Sequence, residues 1–279
     1  MSSVFTRIDS SRFGPWAIVT GSSSGIGAAF ARHVAASGLN VILVARRGTL
    51  LEELGEQLQE EFGVQYRAVV ADLTHEDFLT LIRAATDDLD IGLVISNAGG
   101  PLPGEFLAQP VDALLAQVRL DVEAPLRMIH HFAPRLARRG KGGVILVSAM
   151  GAVEGLPLVA TTSAGKAFVE SLGRSLHGEF TKLGLHTTVL VVGPTDTQVI
   201  DLMGLDRAHM PIKPQPAAST AAEGLEALIA NRPAHLSGRI NRLVHRVVPA
   251  SLTIRMARGM VEQGVAALAR KPAGSLQSA

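Results

Sequence analysis

A glycine-rich turn near the start of the chain constrains the fold more than any other feature. The turn reads TGSSSGIG over residues 20–27 and lies between an apolar run, 16–19, and a helical pattern, 28–37. Gly21 permits a tight turn, Gly25 lets backbone approach a pyrophosphate, and Gly27 allows close helix packing. The spacing predicts a strand, a turn and a helix that together bind a dinucleotide phosphate, although a glycine-rich turn without a ligand would share this short pattern.

Apolar runs alternate with helical patterns along most of the chain. Strands are predicted at 16–19, 40–44, 65–70, 91–96, 143–148 and 185–192, and helices at 28–37, 50–62, 75–89, 111–136 (bent near Pro125) and within 157–183. This order predicts a single α/β domain, a Rossmann-type doubly wound parallel sheet with helices on both faces. Ligands of such folds collect at the carboxyl ends of the strands, where Gly21, Arg46, Asp72 and Asn97 all fall.

Composition excludes several classes of protein. The 279 residues include no cysteine, so disulfides and thiolate chemistry are absent, and a net charge of +1 gives no reason to expect nucleic acid. No stretch reaches the ~18 uninterrupted apolar residues of a membrane span, and the first 15 residues lack the apolar core of a secretory signal. We therefore expect a cytoplasmic protein, and we expect no metal site.

The positive charge is concentrated at the end of the chain. Residues 231–279 contain eight Lys or Arg and one acid, Glu262, a net charge of +7. We expect a nucleotide-binding domain over residues 1–232 and a basic helical extension over 233–279. Apolar residues recur at helical spacing in that extension, so it packs on the sheet or a partner subunit, or lies on an anionic membrane surface.

The residue after the second predicted strand indicates which nucleotide is preferred. Where an acidic residue would accept a hydrogen bond from the ribose 2′-hydroxyl, this chain has Arg46, a cation suited to a 2′-phosphate. Arg46 therefore favours NADP(H) over NAD(H). The alternative is that Arg46 and Arg47 are solvated side chains at the start of the next helix.

These motifs together identify a family. The chain resembles the short-chain dehydrogenases/reductases over residues 14–232, in its TGSSSGIG turn, its Asn97-Ala98-Gly99 segment and Asp72. Its sequence at residues 13–16 and 44–46 is similar to one branch of that family, the hydroxysteroid dehydrogenases and long-chain ketoacyl reductases. By that resemblance Thr195 lies beside the nicotinamide carboxamide and Thr197 beside the pyrophosphate, although Thr197 could equally be a helix N-cap. The resemblance and the turn together imply cofactor contacts by Gly21, Ser22, Ser24, Gly25, Ile26, Gly27, Arg46, Asp72, Leu73, Asn97, Ala98, Gly99, Lys166, Gly193, Thr195 and Thr197.

The catalytic residues of the family are largely replaced. The family uses a Tyr, a Lys four residues later and a Ser on the neighbouring strand, and these positions fall on Thr162, Lys166 and Ala149, while its helix Asn falls on Asp121. The single tyrosine of the chain belongs to the third strand. A threonine hydroxyl is far less acidic than a phenol of pKa ~10, which disfavours the usual mechanism.

Lys166, Thr162 and Asp121 are therefore the candidate catalytic residues. An Asp121–Lys166 pair could carry an altered proton path, and so could Ser148, although strand alternation argues against Ser148. The candidate substrate pocket contains Ala149, Met150, Thr162 and Met203, and a segment over 195–216 resembles the mobile substrate loop of the family. Its methionines suit a hydrophobic ligand, unless it is an ordinary surface loop.

Three functions remain open. The first is an NADP(H)-dependent oxidoreductase of hydrophobic carbonyl or alcohol compounds. The second is a non-redox enzyme, such as a cyclase, isomerase or eliminase, on the same fold. The third is a catalytically inactive NADP(H)-binding subunit. By resemblance to the family, whose long helices form subunit contacts, we expect a homo-oligomer, a dimer or a tetramer.

Overall fold

A seven-stranded parallel sheet forms the centre of the computed structural model, which describes residues 5–270. The strand order is β3-β2-β1-β4-β5-β6-β9, and β7 and β8 form a separate short pair. The expected Rossmann-type fold is confirmed. The strands of the described part are Trp16–Thr20 (β1), Asn40–Ala45 (β2), Tyr66–Val70 (β3), Ile91–Ser96 (β4), Gly143–Ala149 (β5), His186–Val192 (β6), Thr195–Asp196 (β7), Gln215–Pro216 (β8) and Ala234–Leu236 (β9).

Helices cover both faces of this sheet, so its central strands are buried on both sides. Successive side chains of a strand point to opposite faces, so Ala17 and Val19 join one core cluster and Ile18 joins the other. The helices of the described part are Ser10–Phe13 (α1), Gly25–Ala36 (α2), Gly48–Phe62 (α3), Phe78–Ala84 (α4), Val111–Val118 (α5), Ala124–Arg139 (α6), Ala160–Thr181 (α7), Gln198–Leu202 (α8), Ala217–Ile229 (α9), Arg239–Val247 (α10) and Ala250–Ala269 (α11).

The predicted long helix over 111–136 is interrupted before its proline. A π-turn, Arg119–Glu123, separates α5 from α6, and the N–H of Ala124 bonds to the carbonyl of Arg119. Pro125 has no N–H to donate to the carbonyl of residue 121, so the regular α-helical ladder cannot continue through this point. The helix predicted over 75–89 is also shorter, since α4 is flanked by turns.

The sheet extends beyond the stretch in which the sequence predicts strands. β9 pairs with β6 through three residues that the sequence analysis assigned to the basic extension. A three-residue strand between Pro233 and Gly238 is too short to show a period, which is why the sequence pattern missed it. The rest of the described extension is helical, in α10 and α11, while Lys271 and the residues after it lie outside the described part.

The topology brings the ends of several strands together. β1 lies between β2 and β4, so the chain leaves the sheet in opposite directions after β1 and β4 and a crevice forms between their loops. Within residues 5–270, no helix combines the length and the apolar character needed to cross a bilayer.

Candidate functional site

The glycine turn forms an anion cradle at the start of α2. Gly21 and Gly25 have φ of +69° and +56°, which other residues rarely adopt, and a Cβ on Gly27 would lie 2.2 Å from the carbonyl oxygen of Gly21. Ser24 is the N-cap of α2 but makes no side-chain capping bond, and the first turn has no acidic residue. The N–H groups of that turn are therefore left for an anionic ligand, and a pyrophosphate fits these residues.

Other members of the predicted cofactor set serve the fold with their side chains. The Ser22 hydroxyl is buried and donates to the carbonyl of Val44 at 3.4 Å. Ile26 and Ala98 pack on the two core clusters, and Leu73 is buried in the second of them. For Ser22 and Leu73, whose side chains are buried, a nucleotide would contact the backbone.

The Asn97-Ala98-Gly99 segment, which follows β4, is hydrogen-bonded to Thr20 at the start of the glycine turn. Asn97 Nδ2 donates to the carbonyl of Thr20 at 2.9 Å, and the N–H groups of Asn97 and Ala98 both lie 3.0 Å from Thr20 Oγ1. A Cβ on Gly99 would lie 2.6 Å from Lys166 Nζ. Gly99 therefore leaves the space through which the lysine reaches this edge of the sheet.

Two arginines and an aspartate lie at the other side of the cradle. Arg46 is exposed, whereas Arg47 Nη2 donates to the hydroxyls of Ser24 at 2.8 Å and Ser23 at 3.1 Å. Burial would raise the pKa of Asp72, but hydrogen bonds from Thr74 and the charge of Arg46 outweigh burial and lower it. This end therefore presents a carboxylate and two cations. The sequence analysis did not place Arg47 in the site, although Arg47 is adjacent to Arg46 and has the same charge.

The loop after β6 approaches the cradle from the opposite side. Thr197 Cγ2 would lie 3.2 Å from a Cβ on Gly25, and the Thr197 hydroxyl also caps α8 through the N–H of Val199 at 3.4 Å. Thr197 is therefore a helix N-cap, and its contact with a pyrophosphate stays a prediction. Thr195 is different, because its buried hydroxyl bonds to the Gly193 carbonyl at 2.9 Å and to Thr220 at 3.0 Å.

Lys166 and Asp121 form a buried ion pair beside this cleft. Lys166 Nζ lies 3.2 Å from Asp121 Oδ1, and the two residues are only 9% and 1% exposed. Gln117 Nε2 donates both to Asp121 Oδ2 and, at 2.8 Å, to the carbonyl of Gly100. A Cβ on Gly165 would lie 2.6 Å from Asp121 Cβ, so that glycine makes room for the carboxylate. The sequence analysis missed Gln117, which shares a face with Asp121 four residues away.

Thr162 bonds to the loop that follows β4. Its hydroxyl accepts a hydrogen bond from the N–H of Leu102 at 3.0 Å, which leaves the hydroxyl hydrogen free to be donated. The Ser148 hydroxyl is fully buried and donates to the carbonyl of Lys166 at 2.9 Å. The Ser148 hydroxyl is therefore engaged within the core. Ala149, the last residue of β5, pairs with Val192, and the N–H of Met150 bonds to the Val192 carbonyl at 2.8 Å.

The predicted substrate segment is held by contacts within the chain. Arg207 pairs with Asp196 and Asp201 and donates to the carbonyl of Thr197 at 3.0 Å. On the other side, Gly264 of α11 packs so closely that its Cβ would lie 2.2 Å from the carbonyl oxygen of Met203. Arg207 and Gly264 were not predicted, because only the fold brings them to this segment. Among residues 5–270 no cluster of His or acidic side chains could hold a metal ion.

Comparison with known proteins agrees with this geometry. A family model described as short chain dehydrogenase matches residues 15–206. The chain is 31% identical over 186 residues to a 7beta-hydroxysteroid dehydrogenase of Mediterraneibacter gnavus. This alignment covers 67% of the chain and 71% of that relative. It is also 31% identical over 183 residues to inactive hydroxysteroid dehydrogenase-like protein 1 of Mus musculus, and this match spans 64% of the chain but only 56% of the relative.

Solved structures share the fold over nearly the whole chain. A short-chain dehydrogenase from Sphingobium yanoikuyae in complex with NADPH is 25% identical with a TM-score of 0.75, covering 95% of this chain and 99% of that one. A 7beta-hydroxysteroid dehydrogenase structure is 25% identical with a TM-score of 0.80, covering 89% and 98%. The glycine cradle, the parallel sheet and a family match over most of the chain lead to one conclusion: the chain belongs to the short-chain dehydrogenase family and is similar to its hydroxysteroid dehydrogenases and 3-oxoacyl-CoA reductases.

Proposed function

We propose that this protein is an NADP(H)-dependent oxidoreductase of a hydrophobic carbonyl or alcohol compound. The observation that carries the proposal is the row of groups along one edge of the sheet, which runs from Arg46 through the glycine cradle to Lys166. Such a row matches the charge and the chemistry of a phosphorylated dinucleotide. The bound nucleotide would supply the hydride.

The preference for NADP(H) rests on the positive end of this row. A 2′-phosphate would meet Arg46, which makes no hydrogen bond or ion pair in the described structure, and Arg47 lies next to it on the cradle serines. Guanidinium groups bind phosphate by strong, charge-assisted bonds. The similar Sphingobium structure, which contains NADPH, supports this preference.

Thr162 is the proposed hydrogen-bond donor to the substrate oxygen. Because Leu102 N–H already occupies a lone pair of the hydroxyl, the hydrogen is directed elsewhere. The hydroxyl can orient a carbonyl but is a weak acid, so the final proton would come through Thr162 from water or from the Asp121–Lys166 pair. Losing a well-matched general acid typically costs ~10² to 10⁴ in rate, and we expect slow turnover.

The candidate pocket residues favour a hydrophobic substrate. Ala149, Met150 and Met203 have apolar side chains, and Ala149 is smaller than the serine that the family resemblance places there. A dehydrogenase from Comamonas testosteroni that is specific for bulky-bulky ketones shares the fold, with a TM-score of 0.72 and 25% identity. A similar preference for bulky ketones follows for this chain.

The ion pair also favours a second candidate function, nucleotide binding without turnover. Asp121 pairs with Lys166, and by the family resemblance Lys166 is the lysine that assists a tyrosine and Thr162 occupies the position of that tyrosine. One relative is named an inactive hydroxysteroid dehydrogenase-like protein. On this reading the chain senses or stores NADP(H).

Calorimetric titration with NADPH and NADH, followed by NADPH consumption with a panel of bulky ketones, tests the proposal. We expect tighter binding of NADPH and slow, stoichiometric consumption that T162V abolishes. Binding without consumption supports the second candidate, and product formation that ignores NADPH indicates a non-redox enzyme.

A double variant, T162Y/A149S, provides the positive control. It restores the tyrosine and serine of the family and should raise the rate by ~10² or more, provided that the loop at Leu102 moves aside for the larger ring. If the variant binds NADPH and gains nothing, the assignment of Thr162 is wrong.

A further inference from the structure

Helix α10 has a clearly defined inner face. Asn241 is buried, its Nδ2 donates to the carbonyl of Ser237 at 2.8 Å, and it packs against Gly193. Arg242 pairs with Glu223 and donates to the carbonyl of Leu236 at 2.8 Å. These contacts fix the helix on the edge of the sheet, and they determine which side chains point outward.

The outer face of α10 is unusually apolar for an exposed helix. Ile240, Leu243 and Val247 are 62%, 63% and 69% exposed. Their spacing of three and four residues places them on one side of the helix. Leu252 and Met256, in the first two turns of α11, are also exposed apolar residues.

Basic side chains border this apolar row. Arg239 and Arg246 are exposed and seven residues apart, so they share a second face of α10, and Arg255 is exposed at the start of α11. α10 contains no acidic residue. The surface formed by Ile240, Leu243, Val247, Leu252, Met256, Arg239, Arg246 and Arg255 is called the tail face below.

We propose that the tail face docks on an anionic lipid surface. Apolar side chains next to arginines on one short helix match the boundary between acyl chains and negatively charged headgroups. A second copy of the chain fits less well, because α10 contains no acidic residue with which Arg239 and Arg246 of a partner could pair. Docking would take place from one side of the bilayer, in agreement with the lack of a spanning helix in residues 5–270.

The proposal links the lipid surface to the substrate segment. α11 starts at the tail face and reaches Met203 and Gly204 through Gly264. Docking at the start of α11 would therefore involve the same helix that packs on this segment. Docking does not depend on the proposed function, because a molecule with no turnover would carry the same surface.

Sedimentation of the full chain with vesicles tests the proposal. We expect binding to vesicles of phosphatidylcholine mixed with phosphatidylglycerol, little binding to phosphatidylcholine alone, and weakening by salt. R239Q/R246Q should weaken binding about 30-fold, at about 1 kcal/mol for each arginine near an anionic surface, and L243S/V247S should weaken it at least tenfold.

Matched controls lie on α4, where Leu81 and Arg83 are also exposed. L81S and R83Q should bind vesicles like the parent protein. The proposal is overturned by a parent protein that does not bind, by equal loss in the α4 variants, or by light scattering in which L243S/V247S splits an oligomer without changing vesicle binding. All the substituted side chains are exposed, so circular dichroism should report an intact fold.

Discussion

Asp121 is the most deeply buried charged residue of the candidate site. Its carboxylate is fully buried and faces Lys166 Nζ at 3.2 Å, with Gln117 on the other oxygen. Removing one member of a buried ion pair leaves an uncompensated charge, which costs more than removing both. The pair is therefore a unit, and its energetics can be measured apart from any activity.

We expect D121A and K166M each to lower the free energy of unfolding by about 3–5 kcal/mol, and D121A/K166M to cost clearly less than the sum. Urea unfolding of the four proteins, without nucleotide, measures the coupling. Additive losses would mean that the two side chains do not depend on each other.

The proposed preference for NADP(H) rests on a second single residue, Arg46. R46A removes a cation that would bond the 2′-phosphate, and hydrogen bonds to charged groups contribute about 1.5–3 kcal/mol. NADPH affinity should therefore fall by about 10- to 100-fold while NADH affinity stays nearly constant, as measured by calorimetry. An equal loss for both nucleotides would assign Arg46 to general attraction instead.

Among the elements, the contact between α11 and the substrate segment leaves no room for a side chain at Gly264. G264A would place a Cβ 2.2 Å from the carbonyl oxygen of Met203, whereas a Cβ on Gly259 of the same helix meets nothing within 4 Å. Overpacking costs about 1–3 kcal/mol, while glycine to alanine in an open helix position gains up to about 1 kcal/mol.

G264A should therefore be less stable to urea than the parent, and G259A at least as stable. Limited proteolysis should cut G264A faster within residues 198–210. Equal behaviour of the two variants would contradict the close packing of α11 on this segment.

Glu223 joins three elements and gives them a pH dependence. Burial would raise its pKa, but hydrogen bonds with His235 of β9, Arg242 of α10 and the N–H of Gly238 outweigh burial and lower it to about 2. Because the folded pKa lies below the usual value of 4.5, this stabilisation is present above about pH 4.5 and is lost as the pH falls towards 2.

E223Q should lower stability at pH 7 by about 1–3 kcal/mol and make the protein less sensitive to acid between pH 4.5 and 2. Urea midpoints measured across that pH range provide the readout. A variant whose acid profile matches that of the parent would rule out Glu223 as the source.

The elements also mark where sequence reasoning succeeds. Continuous apolar runs alternating with helical periods identify β1 to β6 and their order, because that signal spans many residues. The same signal misses β9, because that strand has only three residues. It also misses the π-turn before α6, which is defined by a backbone hydrogen bond to the carbonyl of Arg119 and not by an apolar pattern. In the candidate site, glycine spacing predicts the cradle and the family resemblance points to Lys166. The ion pair of Arg207 with Asp196 could not be predicted, because only the folded loop brings the two residues together.

At the scale of the whole molecule, α5 exposes a second apolar row. Val111, Leu115 and Val118 are exposed on one side of the helix, at spacings of four and three residues. The homo-oligomer expected from the sequence would bury this row. L115R should then shift the molar mass measured by light scattering to a smaller species, while L81R on α4 should not.

Strand β9 protects the outermost hydrogen-bonding groups of β6 with only three residues. A chain that ended at Arg232, where the nucleotide-binding domain was expected to end, would lack β9 and leave this edge of β6 unpaired. Unpaired backbone groups along β6 would then recruit the same strand from other molecules. Shortened forms of this protein should precipitate through strand-to-strand association even when their nucleotide cleft has formed.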